Sequence, residues 1–401
     1  MRDAGDGTAG TVRPHDLGLA GASGPDGTGS VRGAVSGIGG RALRAILPRL
    51  GLLVPAPGRA DADPGPLSRR WERPSRPRHP DGGALGTPRG RCRDGGFGFD
   101  ERVEAGGYAW WYLDAISEDG RNALTVIAFV GSVFSPYYKL SGRGRPDNHC
   151  AINVALTGPR GSAWAMTERP ASRVDRAADH FTVGPSGVRW DGDTLVIDIA
   201  EISAPLPYKV RGTVRVRPEM IGTTAFSLDP GRRHRWHPVA PRAHVEVAMT
   251  HPDVRWSGAG YVDSNFGDEP LEDGFTDWHW SRAHLSNDVA VLYEGTRRDG
   301  TPFDLALKFD RQGRWHDVVQ PAPAALPRTR WLVKRATRAD AGSIPRVLNT
   351  WIDAPFYARS RLATRLFGED VEAVHESLSL GRFRSPIIQS MLPYRMPRAF
   401  W

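Results

Sequence analysis

From Phe97 onward the chain consists of short alternating or wholly apolar runs, broken every few residues by Gly, Pro, Asn or Asp. Such runs predict β-strands joined by tight turns. The clearest lie at residues 122–129 (NALTVIAF), 150–156 (CAINVAL), 194–199 (TLVIDI), 208–216 (YKVRGTVRV), 244–249 (HVEVAM), 288–294 (DVAVLYE) and 303–309 (FDLALKF). Sustained helical periodicity is nearly absent, and the best helix candidate, residues 355–367, comes late. Many short strands at close spacing predict an all-β chain of antiparallel barrels or sandwiches with few short helices, not a doubly wound parallel sheet. Residues 107–129 (GYAWWYLDAISEDGRNALTVIAF) and 274–295 (GFTDWHWSRAHLSNDVAVLYEG) share one order: a Trp-rich strand, a polar turn, an apolar strand. They read as equivalent hairpins of two successive units, with a boundary near residues 228–240. The expected domains are therefore 96–232 and 233–401.

The first 95 residues have a different texture, with 20 Gly, 11 Pro and Trp71 as their sole aromatic. So little apolar surface does not offset the entropy of ordering, and a disordered Gly/Pro/Arg-rich tail is expected, or a misplaced translation start. Within it, residues 41–57 (RALRAILPRLGLLVPAP) are apolar and basic, open to reading as a collapsed linker or an interfacial helix interrupted by Pro48. No apolar run reaches the roughly 18 residues that a membrane-spanning helix needs.

Charge changes the picture only after division. The chain carries 53 basic and 45 acidic residues, a formal +8, of which 15 Arg against 9 acids, +6, sits in residues 1–95. The remainder is close to neutral, so no nucleic-acid partner is expected. Two cysteines, Cys92 and Cys150, supply neither a disulfide framework nor a Cys-rich zinc site, which fits a reducing interior. His149 beside Cys150 is only superficially a metal pair, and no metal is expected.

No Gly-rich phosphate loop, GxSxG elbow, HExxH or paired CxxC occurs. What stands out is polar and aromatic: His234-Arg235-Trp236-His237, then residues 260–268 (GYVDSNFGD), then Asp277-Trp278-His279-Trp280. Residues two apart on a strand share a face, so His234 pairs with Trp236 and Tyr261 with Asp263. By residue type alone, Asp263 is more often a turn cap, His234 more often a surface or hydrogen-bonded histidine, and Trp236 and Tyr261 are core residues by default. Trp110, Trp111 and Tyr112 read as packing, and Asp268 and Glu269 as turn charges.

These blocks carry a resemblance. GYAWWYLDAISEDG, VIAFVGSVFSPYY, NHCAINVAL, WAMTER, HRWHPVAPRA, GAGYVDSNFGDEPLEDGFTDWHWSRA and APFYARSRLATRLFGEDVEAVHESLSLGRF, spread over residues 97–398, resemble the acyclic carotenoid 1,2-hydratase (hydroxyneurosporene synthase) family. The resemblance implies tandem lipocalin-like β-barrel domains, no cofactor, and hydration of the terminal C1,2 double bond of neurosporene, lycopene or related carotenoids. It also implies that the family's His, the Trp two later and the Tyr-x-Asp are His234, Trp236, Tyr261 and Asp263.

The chemistry makes that grouping sensible. Adding water to a trisubstituted alkene begins with a proton at C2, which leaves a tertiary carbocation at C1 for water to capture. A carboxyl in water is ionised at pH 7, so the donor, Asp263, must lie where apolar surroundings keep it protonated. Indole and phenol faces stabilise a cation without attacking it, each by about 0.5–2 kcal/mol when desolvated. Trp236 and Tyr261, with Trp278 or Trp280 as substrate-binding walls, suit that role, and His234 suits the water side. The carotenoid and water are the expected partners. The C-terminal residues 385–401 (SPIIQSMLPYRMPRAFW) mix apolar, aromatic and Arg residues, as an interfacial foot or a barrel cover does. A peripheral enzyme on the cytoplasmic face of a photosynthetic inner membrane is expected. Two rivals remain: a carotenoid or lipid carrier without catalysis, and a terpenoid isomerase or cyclase whose cation is quenched by an internal alkene.

Overall fold

Period-two patterning becomes strand throughout the computed structural model, which describes residues 98–399. The expectations for the tail at 1–95, including residues 41–57, lie outside the described residues. The first sheet holds β1 (Tyr108–Ser117), β2 (Ala123–Val130), β3 (Ala151–Gly158), β4 (Gly161–Met166), β5 (Val174–Ala177), β6 (His180–Val183), β7 (Ser186–Asp191), β8 (Thr194–Ile202), β9 (Lys209–Pro218), β10 (Phe226–Ser227), β11 (His234–His251) and β12 (Asp253–Gly267). The second holds β13 (Phe275–His284), β14 (Val289–Arg297), β15 (Pro302–Phe309) and β16 (Trp315–Asp317). A two-stranded ribbon follows, β17 (Ala322–Leu326) with β18 (Arg335–Ala339). The chain then completes the second sheet with β19 (Arg346–Asp353), β20 (Tyr357–Leu366) and β21 (Glu369–Ser379). Short helices are α1 (Pro136–Leu140), α2 (Leu271–Gly274), α3 (Leu380–Phe383) and α4 (Pro386–Met391).

Strand order is β4-β3-β2-β1-β12-β11-β9-β8-β7-β6-β5 in the first sheet, with β10 added on β11, and β16-β15-β14-β13-β21-β20-β19 in the second. The two Trp-rich hairpins, β1–β2 and β13–β14, occupy matching places, each with two further strands beyond its second strand. The all-β class holds, but the hydrogen-bonded path is open at both ends of both sheets, so neither of the two expected lipocalin-like barrels closes into a ring of paired strands. The first curls enough for the Ala204 N–H to donate to the Trp164 carbonyl at 3.1 Å.

Two sequence expectations need correction. The first sheet keeps β11 and β12, so the change of sheet falls between Gly267 and Phe275, past the boundary drawn at 232/233. The stretch at 228–240, where the boundary was expected, runs into β11 itself. Pro238 and Pro241 of that strand fall in two register shifts, between His237 and Ala240 and between Ala240 and Ala243, where a missing N–H costs no ladder bond. The helix expected at 355–367 is strand β20, paired on both sides with β19 and β21. Its Ala, Arg and Leu favour helix locally, but tertiary pairing overrides so weak a preference.

Three apolar cores result. Alternation along β1 sends Ala109, Trp111, Leu113 and Ala115 into the core inside the first sheet, while Tyr108, Trp110 and Tyr112 enter a second core shared with β13, β14 and β21. A third, smaller core lies on the second sheet and includes Leu326 of the ribbon. β1 is buried on both faces, which places its charged residue, Asp114, wholly inside the protein. The site forms in the core between the sheets.

Candidate active site

β12 points Tyr261, Asp263 and Asn265 to one face and Val262, Ser264 and Phe266 to the other. The first set faces the core between the sheets, where Asp263 is buried. Its Oδ2 accepts from the Trp236 indole N–H at 2.9 Å and the Tyr261 hydroxyl at 3.0 Å, and its Oδ1 from the Asn265 amide at 3.1 Å. All three donors are uncharged. Burial pushes the Asp263 carboxyl up to about 8, and the hydrogen bonds from Trp236 and Tyr261 only partly oppose that rise. Trp236 reaches it from the neighbouring strand, because Trp236 and Asn265 are direct register partners.

A cavity of about 40 Å³ adjoins this carboxyl, lined by Asp263, Trp236, Trp280, Tyr293, Tyr112 and Glu376 among others. By that measure it has room for a few waters. A larger cavity of about 220 Å³ shares Trp110, Tyr112, Trp278 and Glu376 with it. Phe129, Phe134 and Phe356 extend its aromatic wall, and Ile388, Leu392 and Met396 of the C-terminal segment close one side. That segment is fastened at its end: the Glu168 N–H donates to Pro397 O and the Ala399 N–H to Glu168 O, both at 2.9 Å. The Arg398 guanidinium also pairs with the Glu168 carboxylate.

Trp236, Tyr261, Asp263, Trp278 and Trp280 are thus brought together as the sequence led one to expect. His234 is not: it lines neither cavity. Its Nδ1 lies 3.0 Å from the Tyr108 hydroxyl and its Nε2 3.1 Å from Glu269, which makes Glu269 a partner and not merely a turn charge. Burial lowers the affinity of His234 for a proton, partly opposed by Glu269. Tyr108 in turn stacks on Trp110, ring centroids 4.9 Å apart. His234 therefore reaches the cavity wall at one remove, through Tyr108 against Trp110 and through Phe275 against Trp278. Space here is tight, since a Cβ on Gly274 would stand 2.3 Å from His234 Nε2.

Residues read as packing, or not singled out at all, complete the site. Trp111 does pack, against Phe99, Phe181 and Phe266. Its neighbours Trp110 and Tyr112, on the opposite face of β1, line both cavities. The Tyr112 hydroxyl lies 2.6 Å from Glu376 Oε1 and 3.2 Å from Asp114 Oδ2. Asp114 binds the Arg282 guanidinium, with Nε at 3.0 and 3.1 Å from its two oxygens. Arg359 lies between the acids, 3.7 Å from Asp114 and 3.3 Å from Glu376. Two buried cations thus face two acids, while among the described residues no cation pairs with Asp263. The alternation of β1 was legible in the sequence; the convergence of Asp114, Arg282, Arg359 and Glu376 from four strands was not.

Among the described residues no group of three or more His, Cys, Asp or Glu is placed to hold a metal ion. Cys150 is buried and His149 bonds to Glu168 at 2.7 Å.

Against solved structures, the chain is similar to an AttH protein from Nitrosomonas europaea, with a TM-score of 0.53 at 15% identity over 75% of this chain and 98% of that one, a likeness of fold alone. In sequence it is 49% identical over 374 residues to an acyclic carotenoid 1,2-hydratase of Thiocapsa roseopersicina, covering 92% of each. It is 44% identical over 407 residues to one of Rubrivivax gelatinosus, covering 99% of this chain and 100% of the relative. That second match takes in the N-terminal region, for which the sequence alone suggested no relative. The family model "Carotenoid hydratase CrtC" matches residues 126–401. With relatives this similar over nearly its whole length, the chain belongs to the carotenoid hydratase family.

Proposed function

We propose that this protein is a hydro-lyase that adds water across the terminal C1,2 double bond of an acyclic carotenoid such as neurosporene or lycopene, with Asp263 as proton donor. The observation that carries this reading is a buried carboxyl, pushed up to about 8 by burial and held only by uncharged donors, at the end of an aromatic cavity. The naming of its relatives as acyclic carotenoid 1,2-hydratases agrees with it.

The end of the polyene enters along the larger cavity and brings C2 to Asp263. Oδ2 already accepts two hydrogen bonds, so the acid proton resides on Oδ1. Its transfer forms the C2–H bond and leaves the cation at C1. Trp236, Trp278, Trp280 and Tyr293 present ring faces and edges around that position, and the charges of Arg282 and Arg359 are balanced by Asp114 and Glu376. Water in the small cavity captures the cation and yields the tertiary alcohol. His234 acts at one remove, fixing Tyr108 beneath Trp110.

A pure carrier has no use for a carboxyl kept un-ionised in its binding site, which favours catalysis. Water-sized space beside Asp263 favours hydration over cyclisation. Incubating enzyme with lycopene in D₂O should give a product carrying one deuterium at C2 and the added mass of water. Asp263→Asn should fold yet lose hydration by at least a hundredfold. Wild-type turnover by that variant removes Asp263 from the mechanism, an unaltered mass with new rings supports a cyclase, and bound pigment without product supports a carrier.

We further propose that the enzyme works peripherally on the cytoplasmic face of a photosynthetic inner membrane. Ile387 and Tyr394 are about three-quarters exposed on the same C-terminal segment whose Ile388, Leu392 and Met396 line the cavity. An apolar surface so close to the cavity suits uptake of substrate from lipid.

A further inference from the structure

The hydration step needs a second proton transfer, because water attacking a cation must lose a proton as its oxygen bonds to C1. We propose that Glu376 is the base that takes this proton, a role that rests on the preceding assignment of Asp263 as the acid.

Glu376 and Asp263 line the same 40 Å³ cavity from different sheets, one on β21 and the other on β12. Their surroundings differ in the way an acid and a base require. Asp263 receives only neutral donors, whereas Glu376 Oε1 lies 3.3 Å from Arg359 Nε and accepts the Tyr112 hydroxyl at 2.6 Å. Arg359 is fully buried and shares Asp114 with Arg282, so one cation is left to hold Glu376 as carboxylate. Burial and the nearby Asp114 carboxylate raise the Glu376 carboxyl above its ordinary value, although Arg359, Tyr112 and Tyr357 oppose the rise, which suits a base of enhanced proton affinity.

A second observation supplies a donor suited to hold water there. Trp280 and Glu376 are direct partners in the β13–β21 register, so their side chains stand on one face of the sheet. Trp280 lines this cavity, and its buried indole N–H has no hydrogen-bond acceptor among the described residues. Water donating to Glu376 and accepting from Trp280 would satisfy that donor and hold its oxygen toward C1. His234, outside the cavity, has no access to such a water.

The step balances. The Asp263 O–H bond breaks as the alkene electron pair forms C2–H; a water lone pair then forms C1–O while Glu376 takes the water proton. After product departs, cavity water returns the proton from Glu376 to Asp263.

The test is to incubate the wild-type enzyme, Glu376→Gln and Glu376→Asp with lycopene in D₂O, following hydrated product and deuterium in recovered substrate, with Asp263→Asn alongside. Glu376→Gln should lose hydration by about a hundredfold or more while recovered lycopene still gains deuterium, because protonation reverses when capture fails. Glu376→Asp, which keeps the carboxylate, should recover part of the hydration. Wild-type hydration should fall on the acid side of its pH profile, and Glu376→Gln should lack that limb. Wild-type turnover by Glu376→Gln, equal loss in both Glu376 variants, or loss of deuterium uptake together with hydration overturns the proposal and leaves Asp263 in place. A flat acid side in the wild-type enzyme overturns it even if Glu376→Gln fails to fold. Deuterium uptake by Asp263→Asn takes down both assignments.

Discussion

Asp263 shows what a residue contributes through its surroundings and not its type. An aspartate at a turn is ordinary; one that receives only neutral donors inside a protein keeps its proton. Retention has a cost in stability with a definite sign. Below about pH 4 the folded and unfolded chains both hold the proton, and the folded state suffers no penalty. As pH rises toward about 8 the unfolded chain releases it while the folded one does not, so stability falls by up to about 1.4 kcal/mol per pH unit and levels off above 8. Thermal melts from pH 5 to 8 should therefore decline more steeply for the wild-type enzyme than for Asp263→Asn. Parallel slopes would show that the side chain is ionised in the folded protein.

At the scale of the element, single strands serve two purposes. β11 carries Trp236 to the site near its start, passes its two register shifts, and ends with Val245, Val247 and Met249 in the core of the first sheet. β1 does the same across its faces, with Trp111 on one side and Trp110 on the other. The C-terminal segment also divides: one face closes the cavity, while Ile387 and Tyr394 project outward. Charging that outer face should separate membrane delivery from chemistry. Ile387→Asp combined with Tyr394→Asp should sediment less with lipid vesicles and turn over vesicle-borne carotenoid more slowly, yet match the wild-type enzyme on detergent-solubilised substrate. Equal turnover in both settings would detach the segment from substrate delivery.

Across the whole molecule, the two sheets are joined at their shared core by ion pairs as well as by rings. Asp114 of β1 meets Arg282 of β13 and Arg359 of β20, and all three are buried. Buried pairs of this kind contribute little over an apolar replacement, but breaking one strands a charge. Arg282→Ala should cost about 3–5 kcal/mol in denaturant unfolding, and Arg282→Met with Asp114→Leu should cost much less. A single replacement as mild as the double one would mean that Arg359 alone neutralises Asp114. The same network sets the charges of Arg282 and Arg359 against those of Asp114 and Glu376, as the proposed carbocation step requires.

Alternation every two residues was enough to read the β class, seven of the strands and the kinship of the two Trp-rich hairpins, because a strand's faces are written in its own residues. The motif blocks marked Trp236, Tyr261, Asp263, Trp278 and Trp280; strand pairing and one shared face unite the first three, and the packing of the second sheet brings the two tryptophans to them. Hidden from the sequence were the sheet membership of β11 and β12, the strand at 357–366, and the cluster of Asp114, Arg282, Arg359 and Glu376. Each depends on partners far away along the chain, and strand order is a choice among pairings that local patterns leave equally open. The site's acidity belongs to that second group as well: Asp263 has its residue type from the sequence, but only the closing of two sheets over it removes the water that would have ionised it.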